Sequence, residues 1–407
     1  MNKISISTAA ILILICFIGI GIAQENGDFQ SYKQEQNSDL EQYAKDREKE
    51  FEEYREKLEN AFQEYKQSVS EVWGKENAVV PSQKKWVQYR KKNMRERNIV
   101  DFQNGRAKVQ VALPAEMDSS KKRKKRLREA VLNTLNASAD TRSIIEIAKN
   151  PDAPDKKGGQ SVLKGQVENE QGEEVTRENA EEFAEQVVEE KNIETSSQED
   201  KKGNQKVIAS VEFDLVPNHL EKRVKRFLPL VKKKAGKRDL DLSLVLALIE
   251  TESYFNPTAR SHVPAFGLMQ LVPTSGGREA YSFVYGEDKA PEDDFLYQPE
   301  KNVELGTAYM YLVYNQHLED IRDPRSRMWC MVAAYNTGSG NVLRTFAGKY
   351  SGSVYSSRKQ WKQAALKKIN SMEPQEVYRY LRKELPYKET RKYVKKIRNK
   401  RSHYSDS

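Results

Sequence analysis

Apolar positions along the chain fall into three regimes. From Leu40 to Trp73 they recur mainly at three and four residues (Leu40, Tyr43, Phe51, Tyr54, Leu58, Phe62, Tyr65, Val69, Val72), with Glu, Lys and Arg between them. That spacing predicts one long amphipathic helix, about 50 Å at 1.5 Å per residue. A gap between Tyr43 and Phe51 breaks the heptad, so packing on its own domain is expected rather than a regular coiled coil. Between Ile99 and Val216 the pattern is mixed. Two alternating runs flank Asn104-Gly105, a hairpin signal, and Val207 to Leu215 alternates as a strand. Lys121 to Asn136 and Glu178 to Glu190 read as helices, and Val162 to Val175 as a turn-bearing extended stretch. Residues 150–160 and 192–204, rich in Gly, Lys, Asp and Ser, read as loops. From Pro217 onward helical spacing dominates, through a first helix to Ala235 and on to the basic segment Tyr387 to Arg401.

The expected fold class is therefore α+β, with an N-terminal α+β domain over residues 40–216 and a mainly α domain over 217–401. Ahead of them, residues 1–23 read as an export signal: Lys3, an apolar run from Ile4 to Ile22, and Gly21-Ile22-Ala23 before Gln24. The run is nearly long enough to remain as an N-terminal anchor. Residues 24–39 are polar and read as a flexible tether.

The net charge of +9 favours a polyanionic partner: nucleic acid, an anionic membrane surface or a cell-wall polymer. Behind an export signal, nucleic acid falls away as a partner, even for the KKRKKRLR block from Lys121. Cys330, set among apolar residues, reads as a packed thiol, and the other cysteine, Cys16, lies in the leader, so the exported chain has no internal disulfide. The four histidines lack ligand spacing, the acidic run from Glu287 to Asp294 lacks the glycine of a calcium loop, and no phosphate cradle is present; no metal or cofactor is expected. The chain carries no signature of an oligomeric state.

The chemistry concentrates between Leu240 and Gln270. Leu242, Val245, Leu246 and Ile249 bury one helix face and deliver Glu250, Glu252 and Ser253 to its end, where Asn256-Pro257 is expected to stop the helix. The two glutamates lie about 200° apart around the helix, and periodicity does not choose between them. After a turn comes Gly267-Leu268-Met269-Gln270.

Glu-Ser at a helix end, Gly-Leu-Met-Gln, Ala334-Tyr335-Asn336-Thr337-Gly338 and a late Tyr393 follow in an order that resembles the goose-type-lysozyme-like (SLT) domain of the lytic murein transglycosylases. Leu228-Pro229-Leu230-Val231, Phe295 to Pro299 and Asn341 to Arg344 look most similar to the transglycosylase C branch, as do Trp73-Gly74 and the stretch from Trp86 to Leu113. The resemblance implies an enzyme that cleaves the β-1,4 bond between N-acetylmuramic acid and N-acetylglucosamine, with peptidoglycan strands as partner and the periplasmic cell envelope as location. It implies one acid, Glu252, acting first as acid and then as base to leave a 1,6-anhydro sugar. Ser253 and Gln270 would hydrogen-bond the sugar, Met269 would exclude water, Asn336 would position the acetamido group, Tyr335 would shape that subsite, and Tyr393 would tune the proton of Glu252. Phe255, Phe266 and Tyr281 read as sugar-stacking or core aromatics. The branch often carries a lipid anchor; Ile15 before Cys16 and Phe17-Ile18 after it depart from that pattern. A hydrolytic muramidase on the same fold, or a wall-binding scaffold without activity, would fit the same composition.

Overall fold

The computed structural model describes residues 27–90, 94–150, 156–199, 205–261 and 265–405. The export signal, Cys16 and His262 lie outside the described residues.

Helix α1 spans Gly27–Trp73. The stretch read as a flexible tether is therefore helical from Gly27: it contains no proline to stop a helix propagating from the apolar stripe beyond Leu40. The chain forms two compact units, residues 1–52 and 53–407; the first contains the N-terminal part of α1. Everything below concerns the second.

A five-stranded antiparallel sheet runs in the order β1-β2-β3-β7-β6, with β1 at Lys85–Arg90, β2 at Glu96–Asp101, β3 at Arg106–Pro114, β6 at Glu194–Glu199 and β7 at Gln205–Asp214. The hairpin at Asn104-Gly105 forms as the sequence indicates, pairing Asp101 with Arg106. Gly105 sits at φ 64, and a Cβ there would meet the His219 ring at 2.7 Å. Helices α2 (Ser120–Asn136) and α4 (Ala180–Glu190) pack on one face of the sheet through Leu127, Val131, Phe183 and Val187 against Val109, Val211 and Phe213. The C-terminal half of α1 covers the other face, setting Val69 and Trp73 beside Ala112 and Ile208. Burial on both faces explains why the alternation in β3 and β7 is imperfect.

Two stretches read as loops are strands. β6 is polar and almost wholly exposed at the sheet edge, so it carries no apolar period to detect. Lys157–Ser161 forms β5, paired with β4 at Ser138–Asp140. The stretch from Val162 to Val175 is largely turns, with one isolated bridge between Glu168 and Glu174. Helix α3 occupies Ile144–Lys149.

The remainder is helical: α5 (His219–Gly236), α6 (Leu242–Ser253), α7 (Arg278–Tyr285), α8 (Asp293–Leu296), α9 (Pro299–Leu312), α10 (Pro324–Thr337), α11 (Ser339–Ala347), α12 (Arg358–Asn370), α13 (Pro374–Glu384) and α14 (Lys388–Ser405). Helix α6 is the hub. Its Leu244, Val245, Leu248 and Ile249 are buried in a core shared with Phe227 and Val231 of α5, Val332 and Ala333 of α10, and Val394 and Ile397 of α14. Trp73 and Val69 of α1 also share a core with Phe266, Leu271 and Leu305, so the sheet region and the helical region are packed together. The fold is α+β.

Candidate active site

Helix α6 begins with Asp241, whose carboxylate accepts from Leu244 N at 2.9 Å, an N-cap that fixes the helix start. Its end comes earlier than Asn256-Pro257. Tyr254 and Phe255 both adopt left-handed backbone, φ 51 and 58, and turn the chain immediately after Ser253. Two adjacent non-glycine residues in that region store strain, a feature that concentrates at functional sites.

Helix α14 packs against α6 and gives each acid a different partner. Arg401 binds Asp241 at 2.6 Å, Lys400 binds Glu250 at 2.7 Å, and Tyr404 donates to the other oxygen of Glu250 at 2.8 Å. Farther along, the Tyr393 hydroxyl donates to Glu252 Oε1 at 2.7 Å. Glu250 thus has a cation and a phenol, whereas Glu252 has a neutral phenol alone among the partners given by the described residues. Burial pushes the Glu252 carboxyl up to about 7; the Tyr393 hydrogen bond opposes this, Glu389 adds to it, and Lys396 opposes it weakly. Burial and the nearby Glu252 charge raise both Tyr393 and Tyr335, so both stay protonated.

The Gly-Leu-Met-Gln turn is held behind this carboxyl. Ser253 is fully buried, and its hydroxyl donates to Leu268 O at 2.7 Å and Ile249 O at 3.0 Å. Met269 is likewise fully buried, packed so closely on Gly306 that a Cβ there would come within 2.2 Å of Met269 Sδ. Gln270, at φ 46, spends its amide nitrogen on Ala259 O and Gly267 O, both at 3.0 Å. The Ser253 hydroxyl and the Gln270 amide nitrogen are thus spent on the turn and the Met269 side chain packs inside it, whereas Gln270 Oε1 is buried without a hydrogen-bond partner among the described residues. Tyr335 is half-buried, and its hydroxyl donates to Met269 O at 2.8 Å while its ring lies 5.4 Å from that of Tyr309. Asn336 is exposed, and its side-chain oxygen accepts from Thr390 Oγ1 at 2.7 Å, while its amide nitrogen has no hydrogen-bond partner among the described residues. Thr390 and Tyr393 are three apart on α14, so one face of that helix orients both Asn336 and Glu252.

One organising residue is invisible to the motifs. Asn302 of α9, fully buried, accepts from Met269 N at 2.8 Å and donates to Phe266 O and Leu296 O at 2.9 Å. A Cβ on Gly267, at φ 77, would come within 2.3 Å of that amide. The one hint was a lone amide inside an apolar helix. Phe255 and Phe266 are core, whereas Tyr281 is half-buried in an aromatic cluster with Tyr285 and Phe295. Cys330 is buried and its thiol is pushed far up by desolvation, consistent with a packed, unreactive side chain. Among the described residues no group of three or more His, Cys, Asp or Glu side chains could hold a metal ion.

Comparison with known proteins decides the family. Residues 229–356 match the transglycosylase SLT domain, and residues 51–226 match the N-terminal domain of membrane-bound lytic murein transglycosylase C. The membrane-bound lytic murein transglycosylase C of Haemophilus influenzae (strain PittEE) is 31% identical over 331 residues, covering 81% of this chain and 84% of that protein. The chain belongs to the membrane-bound lytic murein transglycosylase C family. The protein so named in Photorhabdus laumondii is 31% identical over 346 residues, 83% of this chain and 87% of that one. Among solved structures, the 70 kDa soluble lytic transglycosylase of Escherichia coli is 26% identical, covering 46% of this chain and 25% of that chain at a TM-score of 0.33. The protein is accordingly a lytic transglycosylase acting on peptidoglycan, and Glu252 and Asn336 are the side chains that meet Tyr393 and Thr390 on one face of α14.

Proposed function

We propose that the enzyme cleaves the β-1,4 bond between N-acetylmuramic acid and N-acetylglucosamine without water, leaving 1,6-anhydro-N-acetylmuramic acid ends, with Glu252 as the single acid and base. One observation carries this reading: Glu252 is a buried carboxyl whose hydrogen-bond partner is a phenol and not a cation. A carboxyl pushed up to about 7 is partly neutral near pH 7, so it can protonate the glycosidic oxygen as the bond breaks. The resulting carboxylate then takes the proton from the C6 hydroxyl, whose oxygen bonds to C1 of the same sugar. An ordinary glycosidase needs a second carboxylate on the other face of the bond. Here the nearby acid that acts on Glu252, Glu389, is exposed and one turn from Tyr393 on α14.

Asn336 presents its amide to the substrate's acetamido group, Tyr335 walls the same subsite, and Ser253, Met269 and Gln270 hold the turn that backs Glu252. The relatives are named membrane-bound, and no helix among the described residues is long and apolar enough to cross a membrane. We place the enzyme in the periplasmic cell envelope after export, with attachment supplied by the N-terminal segment.

Release of soluble muropeptides from purified peptidoglycan tests the role of the acid. Glu252→Gln should abolish release, while Glu250→Gln and Glu389→Gln retain it. A dead Glu389→Gln enzyme that still folds would mean a second carboxylate takes part.

A further inference from the structure

Outside the catalytic region, a cavity of about 40 Å³ lies at the junction of the sheet, helix α1 and the segment that follows α6. Trp86 and Gln88 of β1, Tyr65 of α1, Arg142, and Thr258 and Arg260 line it. Its polar side chains are unusually well buried. Gln88 is 5% exposed, Arg142 6% and Arg260 4%.

The two arginines differ in one respect. Arg142 is neutralised by Asp140, whose Oδ2 accepts from Nη2 at 2.6 Å and from Nε at 2.9 Å. Arg260 has no such partner among the described residues: its Nε and Nη1 are buried without a hydrogen bond, and its guanidinium lies over the face of the Tyr297 ring at 5.4 Å. Asp293 is buried near enough to feel the Arg260 charge, with Oδ2 also unbonded, yet no salt bridge joins the two among the described residues. A guanidinium removed from water without a directly bonded partner costs several kcal/mol, and such groups persist where an anion or a hydrogen-bonding ligand completes them. Arg260, Arg142 and Asp140 leave the lining with one net positive charge. The volume holds a few water molecules or one carboxylate, and excludes a sugar ring.

We propose that this cavity is a carboxylate-binding site in which the forked N–H groups of Arg260 receive a single carboxylate. The site touches the catalytic turn. Arg260 bridges Phe266 in the backbone, and its neighbour Ala259 supplies the carbonyl that accepts from Gly267 N at 2.8 Å and from the Gln270 amide at 3.0 Å. An anion that fixes Arg260 therefore also steadies the segment on which the Gly-Leu-Met-Gln turn hangs. Two sources offer that chemistry: the C-terminal carboxylate of a peptide stem, which presupposes the peptidoglycan substrate, or a free small carboxylate. Binding can be read without any turnover, so failure here is separable from failure of the catalytic reading.

The experiment is ligand-observed NMR on the full chain with ¹³C-acetate and with D-alanyl-D-alanine, at constant ionic strength, for wild type, Arg260→Met and Arg260→Lys. Wild type should bind acetate, Arg260→Met should bind at least tenfold more weakly, and Arg260→Lys should fold and bind with intermediate strength because an ammonium lacks the fork. Displacement of acetate by the dipeptide supports the site with peptide stems as its source. Acetate binding without displacement supports the site with a free carboxylate as its source. If Arg260→Met fails to fold, the comparison of wild type with Arg260→Lys decides. Undetectable acetate binding to wild type, or equal binding by the variants, overturns the proposal.

Discussion

Tyr393 donates its phenolic hydrogen to Oε1 of Glu252 across 2.7 Å, linking residues 141 positions apart in the chain. Because the donor is neutral, it stabilises the carboxylate less than an ion pair would, and burial still wins. Glu250, two residues earlier, meets Lys400 instead. The same helix pair thus gives one acid a cationic partner and leaves the other, with a phenol, able to exchange a proton.

The pH dependence of stability follows from that burial. A carboxyl whose folded-state pKa is raised from 4.5 to about 7 favours folding fully below its unfolded pKa, and the benefit is lost as pH rises through 7. Glu252→Gln, which cannot ionise, should match wild type near pH 4 and exceed it at pH 8 by up to about 3 kcal/mol. Urea unfolding at the two pH values measures the difference. A variant equally affected at both would mean the carboxyl is not desolvated.

Removal of the phenol should move the proton. Tyr393→Phe deletes a hydrogen bond that favours the charged carboxyl, so the pKa of Glu252 should rise and the alkaline limb of the rate profile should shift to higher pH. The stability cost should be about 1 kcal/mol. A pH–rate profile on solubilised peptidoglycan checks the shift; an unmoved limb would mean Tyr393 only packs.

Behind the site, Gly306 has no room to spare. Gly306→Ala would drive a methyl into Met269, costing about 1–3 kcal/mol and displacing the turn. Asn302→Leu should cost more, since Met269 N, Phe266 O and Leu296 O would all lose their partner in the interior. Thermal unfolding ranks the two variants, and a neutral Asn302→Leu would show that the turn holds itself.

The buried carboxylate Glu304 gives a second, opposite pH signature. Burial would raise it, but Lys234 and Arg238 outweigh this and pull it down to about 2. A depressed folded-state pKa contributes stability above the unfolded value and loses it as pH falls from 4.5 toward 2. Wild type should therefore lose stability faster than Glu304→Gln across that acid range, as measured by denaturant midpoints.

What the sequence made legible divides along physical lines. The α6 stripe, the Asn104-Gly105 hairpin and helix α14 were readable because each carries a local period or turn residue. Edge strand β6 was not, since an exposed polar strand has no apolar alternation. Periodicity could not choose between Glu250 and Glu252; the choice depends on Lys400 and Tyr393, placed by tertiary packing more than 140 positions away. Motif resemblance named Glu252, Asn336 and Tyr393 as site residues. It could not show that the Ser253 hydroxyl and the Gln270 amide nitrogen bond carbonyls of the turn, because a polar residue in a motif reads the same whether it binds a ligand or a carbonyl.

Mass spectrometry of the soluble fragments released from purified peptidoglycan, with Glu252→Gln alongside, bears most directly on a single acid that works without water. We expect muropeptides one water lighter than hydrolytic fragments, and none from the variant. Hydrated products with reducing ends, or undiminished release by Glu252→Gln, would contradict it.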